Sequence, residues 1–267
     1  MSVKRNERMR RLLTLLHDRG RLDAAALCSE LVISPATLRR DLTDLEDQGL
    51  LVRTHGGARA IDPTKSEIPV RLRDHLGVAA KRRIAQHAAA LIPFGPHVVA
   101  LTGGVTTAEV AKALKGHADL TIVTNSLSLA VDCAVDAHMK VIMTGGRVRA
   151  NSLEAVGPLA EATIEAVNVG TAILGADGMS ADNGATTFDE TEARAAAAMA
   201  ARAQRVVVAV DGTKIGKVNL AKMIGLAEID DLVTDAGADP IELDKIAASG
   251  VRIRVVGTPS RDDVVED

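Results

Sequence analysis

The stretch VISPATLRRDLTDLEDQGLLVRTHGG, residues 32–57, joins a capped helix with two adjacent arginines to a short hairpin closed by glycines. Ser34-Pro35 predicts the start of the helix, because the serine hydroxyl can accept from a free backbone N–H and proline needs no N–H at the first position. Leu38, Leu42 and Leu45 recur at helical spacing and predict its inward face. The outer and flanking faces of its first half then carry Ala36, Thr37, Arg39, Arg40 and Thr43.

The outer residues of such a helix contact base edges and phosphates when the helix lies in the major groove of DNA. A second interpretation is that Arg39 and Arg40 only face solvent and pair with Asp41 or Asp44 as helical neighbours. The helix by itself leaves both interpretations open.

The hairpin that follows favours DNA. LLVRTH (50–55) is short and β-prone, Gly56-Gly57 indicates a tight turn and ARAI (58–61) can pair back, which predicts a wing. Arg53 and His55 would then lie along the DNA backbone or minor groove, although a single loop histidine often has no specific role. The predicted DNA-contacting residues are Ser34, Pro35, Ala36, Thr37, Arg39, Arg40, Thr43, Arg53, His55 and Gly56.

The residues before this stretch complete a small helical domain. Leucines and Met9 at helical spacing predict a first helix over about residues 5–18, which Gly20 ends. Asp23 is predicted as the N-cap of a second, short helix that breaks near Val32-Ile33.

The segment SPATLRRDLTDLEDQGLLVRTHGGA, residues 34–58, closely resembles the winged helix-turn-helix of the DeoR family of bacterial transcriptional regulators. The family pattern is matched by Thr37, Arg39-Arg40-Asp41-Leu42, Leu45, Arg53 and His55-Gly56-Gly57-Ala58. The resemblance implies that Arg39 and Arg40 contact operator DNA.

The composition restricts the class of protein. The chain has 267 residues, 47% of them hydrophobic, and a formal net charge of -3, with no apolar run of the roughly 18 residues that a membrane span needs. We therefore predict a soluble protein, and the start MSVKRNERMRRLL, which lacks a signal core, predicts the cytoplasm. Residues 1–60 are mildly basic, with 11 Lys+Arg against 8 Asp+Glu, whereas the remaining 207 residues carry 21 against 27.

Cysteine and aromatic usage excludes several kinds of site. Cys28 and Cys133 belong to no CxxC motif or Cys/His cluster, which argues against a zinc site and a disulfide framework, and both are predicted to be buried. With no Trp, no Tyr and two Phe, the chain lacks the stacking platforms of single-strand and RNA binders, so duplex DNA is favoured. We predict no cofactor, no metal site and no catalytic residue.

The remaining chain predicts a linker and a larger α/β domain. We assign residues 1–60 to the DNA-binding domain, 61–80 to a linker with a short helix near 70–75, 81–257 to a ligand-binding domain and 258–267 to a polar tail. Lys81 to Leu91 is predicted as an amphipathic helix. Apolar runs then alternate with helix-length segments, which predicts a mostly parallel sheet covered by helices on both faces. These runs are HVVALTGG, LTIVTNS, KVIMTGG, GTAILGADG, RVVVAVDGTK, DDLVTD and RIRVVG.

Small or polar residues follow these predicted strands, and in an open parallel sheet such ends gather at one rim where ligands bind. The turn TGGVTTAEVAKAL offers Gly103-Gly104, free N–H groups, Thr106 and Thr107 at a helix start, which suits an anion such as phosphate. An ordinary strand-to-helix turn is the other interpretation. Lys214 can close over the same anion or be a surface lysine.

Residues from about Lys81 to Asp235 are similar to the sensor body of the same family, which resembles the sugar-phosphate isomerase fold of ribose 5-phosphate isomerase and glucosamine 6-phosphate deaminase. The similarity implies a phosphate loop, a pocket lining and residues that reach the sugar. The implied effector-binding residues are Gly103, Gly104, Thr106, Thr107, Asn125, Gly145, Gly146, Glu192, Asp211 and Lys214. The family commonly has Asp where this chain has Thr102 and a hydroxyl residue where it has Val105.

The resulting hypothesis is a DNA-binding transcriptional regulator, a repressor in most of the family, of carbohydrate metabolism genes. A phosphorylated sugar would control it, and a homo-oligomer would place heads on separated half-sites. Two alternatives stay open: a sugar-phosphate isomerase or deaminase that uses Glu192, Asp211 or Asp177 as proton carriers, and a regulator with a vestigial pocket.

Overall fold

The computed structural model describes residues 3–60, 67, 69–70 and 77–257, with the side chains of residues 3, 4, 17 and 18 excepted. The chain divides into two compact units at Leu76 and Gly77. We call residues 3–60 the head and residues 77–257 the body. The predicted polar tail, the short helix near 70–75 and most of the predicted linker lie outside the described residues.

The head consists of three helices and a small antiparallel sheet. Its elements are α1 (Val3–Arg19), β1 (Arg21–Asp23), α2 (Ala24–Leu31), α3 (Pro35–Asp47), β2 (Leu51–Thr54) and β3 (Gly57–Ala60). The sheet has the order β1-β3-β2. The three predicted helices and the β2–β3 hairpin are confirmed, whereas β1 was not predicted.

Caps set the helix boundaries in the head. Asp23 Oδ1 accepts from the N–H of Ala26 at 2.7 Å and begins α2 as predicted. Val32 ends α2 in the left-handed conformation, at a φ of 53°, so the chain turns before α3 begins. The core between the helices is mostly leucine. Cys28, predicted to be buried, is partly exposed, because it packs only at the edge of this core.

The third strand of the head depends on one glycine. β1 pairs with β3 so that Asp23 lies opposite Gly57. A Cβ atom at Gly57 would stand 2.2 Å from the Leu22 carbonyl oxygen, so only glycine allows this approach. A three-residue strand has no detectable alternation, which is why the sequence did not reveal β1.

The body has one large parallel sheet with helices on both faces. Its helices are α4 (Val78–Ala89), α5 (Val105–Ala113), α6 (Leu127–Ala134), α7 (Pro158–Glu165), α8 (Glu190–Arg202) and α9 (Pro240–Ala248). Its strands are β4 (His97–Leu101), β5 (Leu120–Thr124), β6 (Met139–Met143), β7 (Arg147–Val148), β8 (Ala155–Val156), β9 (Val169–Leu174), β10 (Gly178–Ser180), β11 (Gly184–Thr187), β12 (Ala203–Ala209), β13 (Ala221–Ile224), β14 (Asp231–Asp235) and β15 (Arg252–Val256). Helix α4 begins three residues before the predicted Lys81.

All seven predicted apolar runs become strands of this sheet, in the order β15-β14-β12-β9-β4-β5-β6. Every neighbouring pair is parallel, so the predicted sheet is confirmed. The chain runs outward from β4 to β6 and then returns to start β9 on the other side of β4. The β4/β9 boundary is therefore the switch point, where the carboxyl ends of the strands leave a crevice for ligands.

The strands alternate between two cores. Val99 and Leu101 of β4 belong to the core under α4, α5 and α6, whereas Ala100 belongs to the core under α7, α8 and α9. Because both faces are covered, the central strands are mostly apolar, whereas the edge strand β15 (RIRVV) alternates with Arg252 and Arg254. No helix in the described ranges is both long enough and apolar enough to cross a membrane.

Two smaller sheets were not predicted. β10, β11 and β13 form an antiparallel sheet, and β7 pairs with β8. The strands GMS and GATT consist of small residues without a two-residue period, so the sequence signal was missing. The loop of the β7–β8 hairpin, residues 149–154, carries Arg149 and Glu154, two charged side chains of the rim.

Candidate functional site

The exposed face of α3 is built as predicted. The Ser34 hydroxyl accepts from the N–H of Thr37 at 3.2 Å, and Pro35 occupies the first turn. Leu38, Leu42 and Leu45 are buried. The outer residues Ala36, Arg39 and Arg40 are exposed, and Thr37 and Thr43 are half-buried.

The two arginines of this face are not paired with the neighbouring aspartates. Within the described residues, Arg39 and Arg40 form no hydrogen bond or ion pair through their side chains, while Asp41 pairs with Arg8 and Asp44 with Arg5 on α1. The interpretation in which Arg39 or Arg40 pairs with Asp41 or Asp44 is therefore wrong. Both guanidinium groups remain available on a surface of the kind that enters a DNA groove.

The wing brings a third arginine to α3. Arg53 Nη1 donates to Thr43 Oγ1 at 3.1 Å and lies 3.8 Å from Glu46 Oε2. The backbone N–H of Arg53 donates to Glu46 Oε1 at 3.1 Å. His55 and Gly56 form the exposed turn of the hairpin, where Gly56 has a φ of 95°. The head thus places α3 and the wing arginine on one continuous surface.

At the switch point, the turn after β4 touches the segment after β9. The N–H of Gly175 donates to Thr102 Oγ1 at 3.0 Å. A Cβ atom at Gly175 would stand 3.5 Å from Thr107 Cγ2, so the two segments are in van der Waals contact. Gly104 has a φ of 127° and begins α5 without a side-chain cap.

The turn predicted as a phosphate loop joins β4 to the start of α5, and its two threonines differ. Thr107 is fully buried, and its hydroxyl donates to the Gly104 carbonyl at 3.0 Å, so this hydroxyl holds the turn together. Thr106 keeps 9% exposure at the first turn of α5. The helix start therefore offers backbone N–H groups and the dipole of α5 to an anion, and Thr106 is less deeply buried there than Thr107.

Asn125 and the glycine pair after β6 lie near this turn. Asn125 is fully buried, and its Nδ2 donates to Glu154 Oε2 at 2.9 Å. The backbone of Asn125 accepts from the N–H of Ala155 at 2.7 Å. Both glycines are exposed, but a Cβ atom at Gly146 would stand 2.7 Å from the Val156 carbonyl oxygen, whereas one at Gly145 would meet nothing closer than 3.9 Å.

A charged network occupies the next part of the rim. Arg149 Nε lies 3.0 Å from Asp189 Oδ2, and its Nη1 donates to Glu192 Oε1. Thr187 Oγ1 lies 2.9 Å from Asp177 Oδ2 and 3.4 Å from Glu192 Oε2. Arg149 therefore lies between two carboxylates, and Thr187 joins Glu192 to Asp177.

Lys214 and Asp211 extend the network differently. Lys214 Nζ lies 3.9 Å from Asp177 Oδ1, so the predicted Lys214 and Glu192 are linked through Asp177 and Thr187. Asp211 instead caps the short 3₁₀ turn Gly212–Lys214, accepting from the N–H of Thr213 at 3.1 Å.

Asp189 remains a carboxylate in this arrangement. Burial alone would raise the pKa of Asp189, but hydrogen bonds from Thr191 and from the backbone of Glu192, together with the charge of Arg149, hold it below its usual value. Asp189 thus supports Arg149 as a negatively charged neighbour throughout the physiological pH range.

Sequence reasoning missed Arg149, Glu154, Thr187 and Asp189 as parts of the rim. Arg149 and Glu154 come from the β7–β8 loop, Thr187 ends the short strand β11 and Asp189 lies between β11 and α8, and none of these segments has a detectable strand or helix periodicity. A separate pocket of 470 Å³ lies between α7, α8 and β13, and none of the predicted effector residues lines it. The described residues contain no group of three or more His, Cys, Asp or Glu side chains that could hold a metal ion.

Comparison with known proteins agrees with both units. A model described as "DeoR-like helix-turn-helix domain" matches residues 8–64, and one described as "DeoR C terminal sensor domain" matches residues 77–236. The putative aga operon transcriptional repressor of Escherichia coli O157:H7 is 32% identical over 94% of this chain and 94% of its own. The glycerol-3-phosphate regulon repressor of Escherichia coli K12 is 31% identical over 88% of this chain and 92% of its own.

Among solved structures, ribose 5-phosphate isomerase A of Neisseria gonorrhoeae aligns over 53% of each chain, with a TM-score of 0.37 and 16% identity. The two domain matches and the relatives that align over about nine-tenths of the chain show the family. The chain therefore belongs to the DeoR family of transcriptional regulators.

Proposed function

We propose that this protein is a repressor of carbohydrate metabolism genes whose operator affinity is controlled by a phosphorylated sugar bound at the rim of the body. The proposal that the head binds DNA rests on Arg39 and Arg40. Both are exposed and have no side-chain partner among the described residues, and Arg53 of the wing contacts the same helix. The relatives named for the aga operon and the glycerol-3-phosphate regulon support the class of regulated genes.

The rim supports a phosphorylated polyol in two ways. The start of α5 offers uncapped N–H groups for a phosphate. Asp177, Glu192 and Glu154 offer carboxylate oxygens, which accept hydrogen bonds from sugar hydroxyls. Lys214, 3.9 Å from Asp177, can reach the phosphate or a hydroxyl when a ligand enters.

We infer further that the body does not turn over its ligand. Glu192 accepts from Arg149 and lies 3.4 Å from the Thr187 hydroxyl, whose single proton has a closer acceptor in Asp177 at 2.9 Å. The ion pair with Arg149 is typical of a fixed binding residue and not of a free proton carrier. Ribose 5-phosphate and glucosamine 6-phosphate should therefore remain unchanged during incubation with the protein. Turnover of either compound that Glu192→Gln abolishes would support the enzyme alternative.

The experiment for effector control uses the full chain. Duplexes bound by the protein are selected from a random library, and their affinity is measured by fluorescence anisotropy with ribose 5-phosphate, glucosamine 6-phosphate or glycerol 3-phosphate added. We expect at least one of these to change the affinity by about 5- to 150-fold. Lys214→Met and Thr106→Val should lose the response and keep DNA binding, and the exposed Lys112→Met is the matched control.

If all three compounds leave both the operator affinity and the melting temperature unchanged, the regulator with a vestigial pocket becomes the better interpretation. We also propose that the protein is a dimer or tetramer, because one head of this size gives weak operator binding. A monomer in sedimentation that binds an isolated half-site as tightly as a full operator would contradict this assembly.

A further inference from the structure

We propose that Glu154 and Asn125 form a subsite that recognises the hydroxyl groups of the effector beside the turn at Gly103. This inference rests on the proposed function, because it assigns one end of the same ligand. It concerns a residue that the sequence reasoning left out.

The carboxylate of Glu154 lies directly against the backbone of Gly103. Glu154 is only 7% exposed, and a Cβ atom at Gly103 would stand 2.1 Å from Glu154 Oε1. Any larger residue at position 103 would displace the carboxylate. Glycine is thus required here for the side chain of Glu154, and not for a left-handed backbone conformation.

Asn125 supplies the second acceptor. Its Nδ2 group donates to Glu154 Oε2 at 2.9 Å and to the Ala155 carbonyl oxygen at 3.4 Å. Its Oδ1 atom is buried and accepts no hydrogen bond from the described residues. A buried acceptor without a donor is costly, and a ligand that brings a donor removes that cost.

The backbone holds Glu154 in this position. The preceding Leu153 has a φ of 58°, a conformation that non-glycine residues adopt rarely and that is found more often at ligand sites. Leu153 accepts from the N–H of Leu127 at 3.0 Å, and Glu154 forms a β-bridge with Ser126. Leu153 and Glu154 are therefore both fixed to the segment at the start of α6, directly after β5.

The chemistry of the pair selects the ligand group. A carboxylate and an amide oxygen accept hydrogen bonds, so they suit the adjacent hydroxyls of a sugar or polyol and repel a phosphate dianion. Thr102 is a weaker candidate for this role, because it has no carboxylate and one acceptor site of its hydroxyl is taken by the N–H of Gly175 at 3.0 Å. The hydroxyl-bearing end of the effector then lies at Glu154, and its phosphate lies at the first turn of α5.

The test compares ligands with and without hydroxyls. Dissociation constants of ribose 5-phosphate, glycerol 3-phosphate and inorganic phosphate are measured by calorimetry for the full chain and for Glu154→Gln, which keeps the shape and removes the charge. Gly103→Ala is a second variant, because it pushes the carboxylate away without changing it. Glu165→Gln, an exposed residue at the end of α7, is the matched control.

We expect the wild type and Glu165→Gln to bind ribose 5-phosphate or glycerol 3-phosphate more tightly than inorganic phosphate. Glu154→Gln and Gly103→Ala should reduce this preference about tenfold or more, since hydrogen bonds to charged groups are the stronger ones. Binding of inorganic phosphate should change less than about twofold or become tighter as the negative charge is removed.

A preference that persists in correctly folded Glu154→Gln overturns the subsite and leaves the proposed function intact. If the wild type binds none of the three compounds, both the proposed function and the subsite are contradicted. If Lys214→Met abolishes binding while Glu154→Gln does not alter the preference, the hydroxyls are recognised elsewhere on the rim.

Discussion

Asp41 of α3 accepts two hydrogen bonds from Arg8 of α1, at 2.5 Å from Nε and 3.0 Å from Nη2. Asp41 has only 1% of its surface exposed. The pair joins the inner side of α3 to α1 through two hydrogen bonds between charged groups, which fix both the distance and the relative orientation of the two side chains.

We expect Asp41→Asn to destabilise the head by about 1.5–3 kcal/mol, because a buried hydrogen bond to a charged group is lost. Hydrogen exchange of the α3 amides measures this locally, and operator affinity should fall in parallel. The exposed pair of Arg19 and Glu30 is the control, where Glu30→Gln should cost less than about 1 kcal/mol. Equal exchange in wild type and Asp41→Asn would show that Asp41 does not hold α3.

Arg39 and Arg40 should contribute separately to operator binding. We expect each alanine variant to weaken it by about 1–3 kcal/mol if the side chain contacts a base, with less effect on random DNA. An equal loss on both DNAs, together with a smaller salt dependence, would identify a phosphate contact. Anisotropy titrations at several salt concentrations distinguish these cases. Arg194→Ala, an exposed arginine of the body, should leave affinity unchanged.

Gly57→Ala should damage the wing more than Gly49→Ala. At Gly57 the new Cβ would meet the Leu22 carbonyl oxygen at 2.2 Å, whereas at Gly49 it meets nothing within 4 Å and costs only the strain of a φ of 67°. We expect about 1 kcal/mol for Gly49→Ala and at least twice that for Gly57→Ala. Thermal unfolding of the two variants, measured side by side, checks the order. A larger loss at Gly49 would mean that β1 does not constrain the wing.

The stability of the body should depend on pH through Asp231. This fully buried carboxylate accepts from Arg205, Arg252 and Arg254. Burial raises its pKa, but hydrogen bonds from the three guanidinium groups lower it by a larger amount. The pKa in the folded state therefore lies well below the unfolded value of about 3.9. The ionised group therefore stabilises the fold above about pH 4, and this contribution is lost as the pH falls below that value.

Asp231→Asn tests that dependence. We expect the variant to be about 2–3 kcal/mol less stable at neutral pH, in the lower range for broken buried pairs because the arginines are partly exposed. The difference should hold down to about pH 5 and shrink below pH 4. Urea unfolding of both proteins at three pH values measures it. An unchanged difference at about pH 3.5 would contradict the assigned pKa direction.

The sequence was sufficient where a pattern repeats. Seven apolar runs predicted the seven parallel strands, and Ser34-Pro35 predicted the start of α3 because a cap is a local signal. The partners of charged groups could not be predicted from the sequence, because they lie far apart in it: Asp41 and Arg8 are 33 residues apart, and Arg149 and Glu192 are 43 residues apart. Glu154 was missed for the same reason: its position depends on Gly103 and Asn125, which are distant in sequence.

The place of β3 in the middle of its sheet has a consequence for regulation. β3 is paired with β1, the strand that leads into α2, and with β2, which carries the arginine bound to Thr43 of α3. The wing is therefore joined to α2 through β1 and to α3 through Arg53. If the proposed assembly places two such heads on one operator, we expect the effector to act on the distance between the heads. Operators with half-sites moved apart by one or two base pairs should then reproduce the effector's influence in its absence.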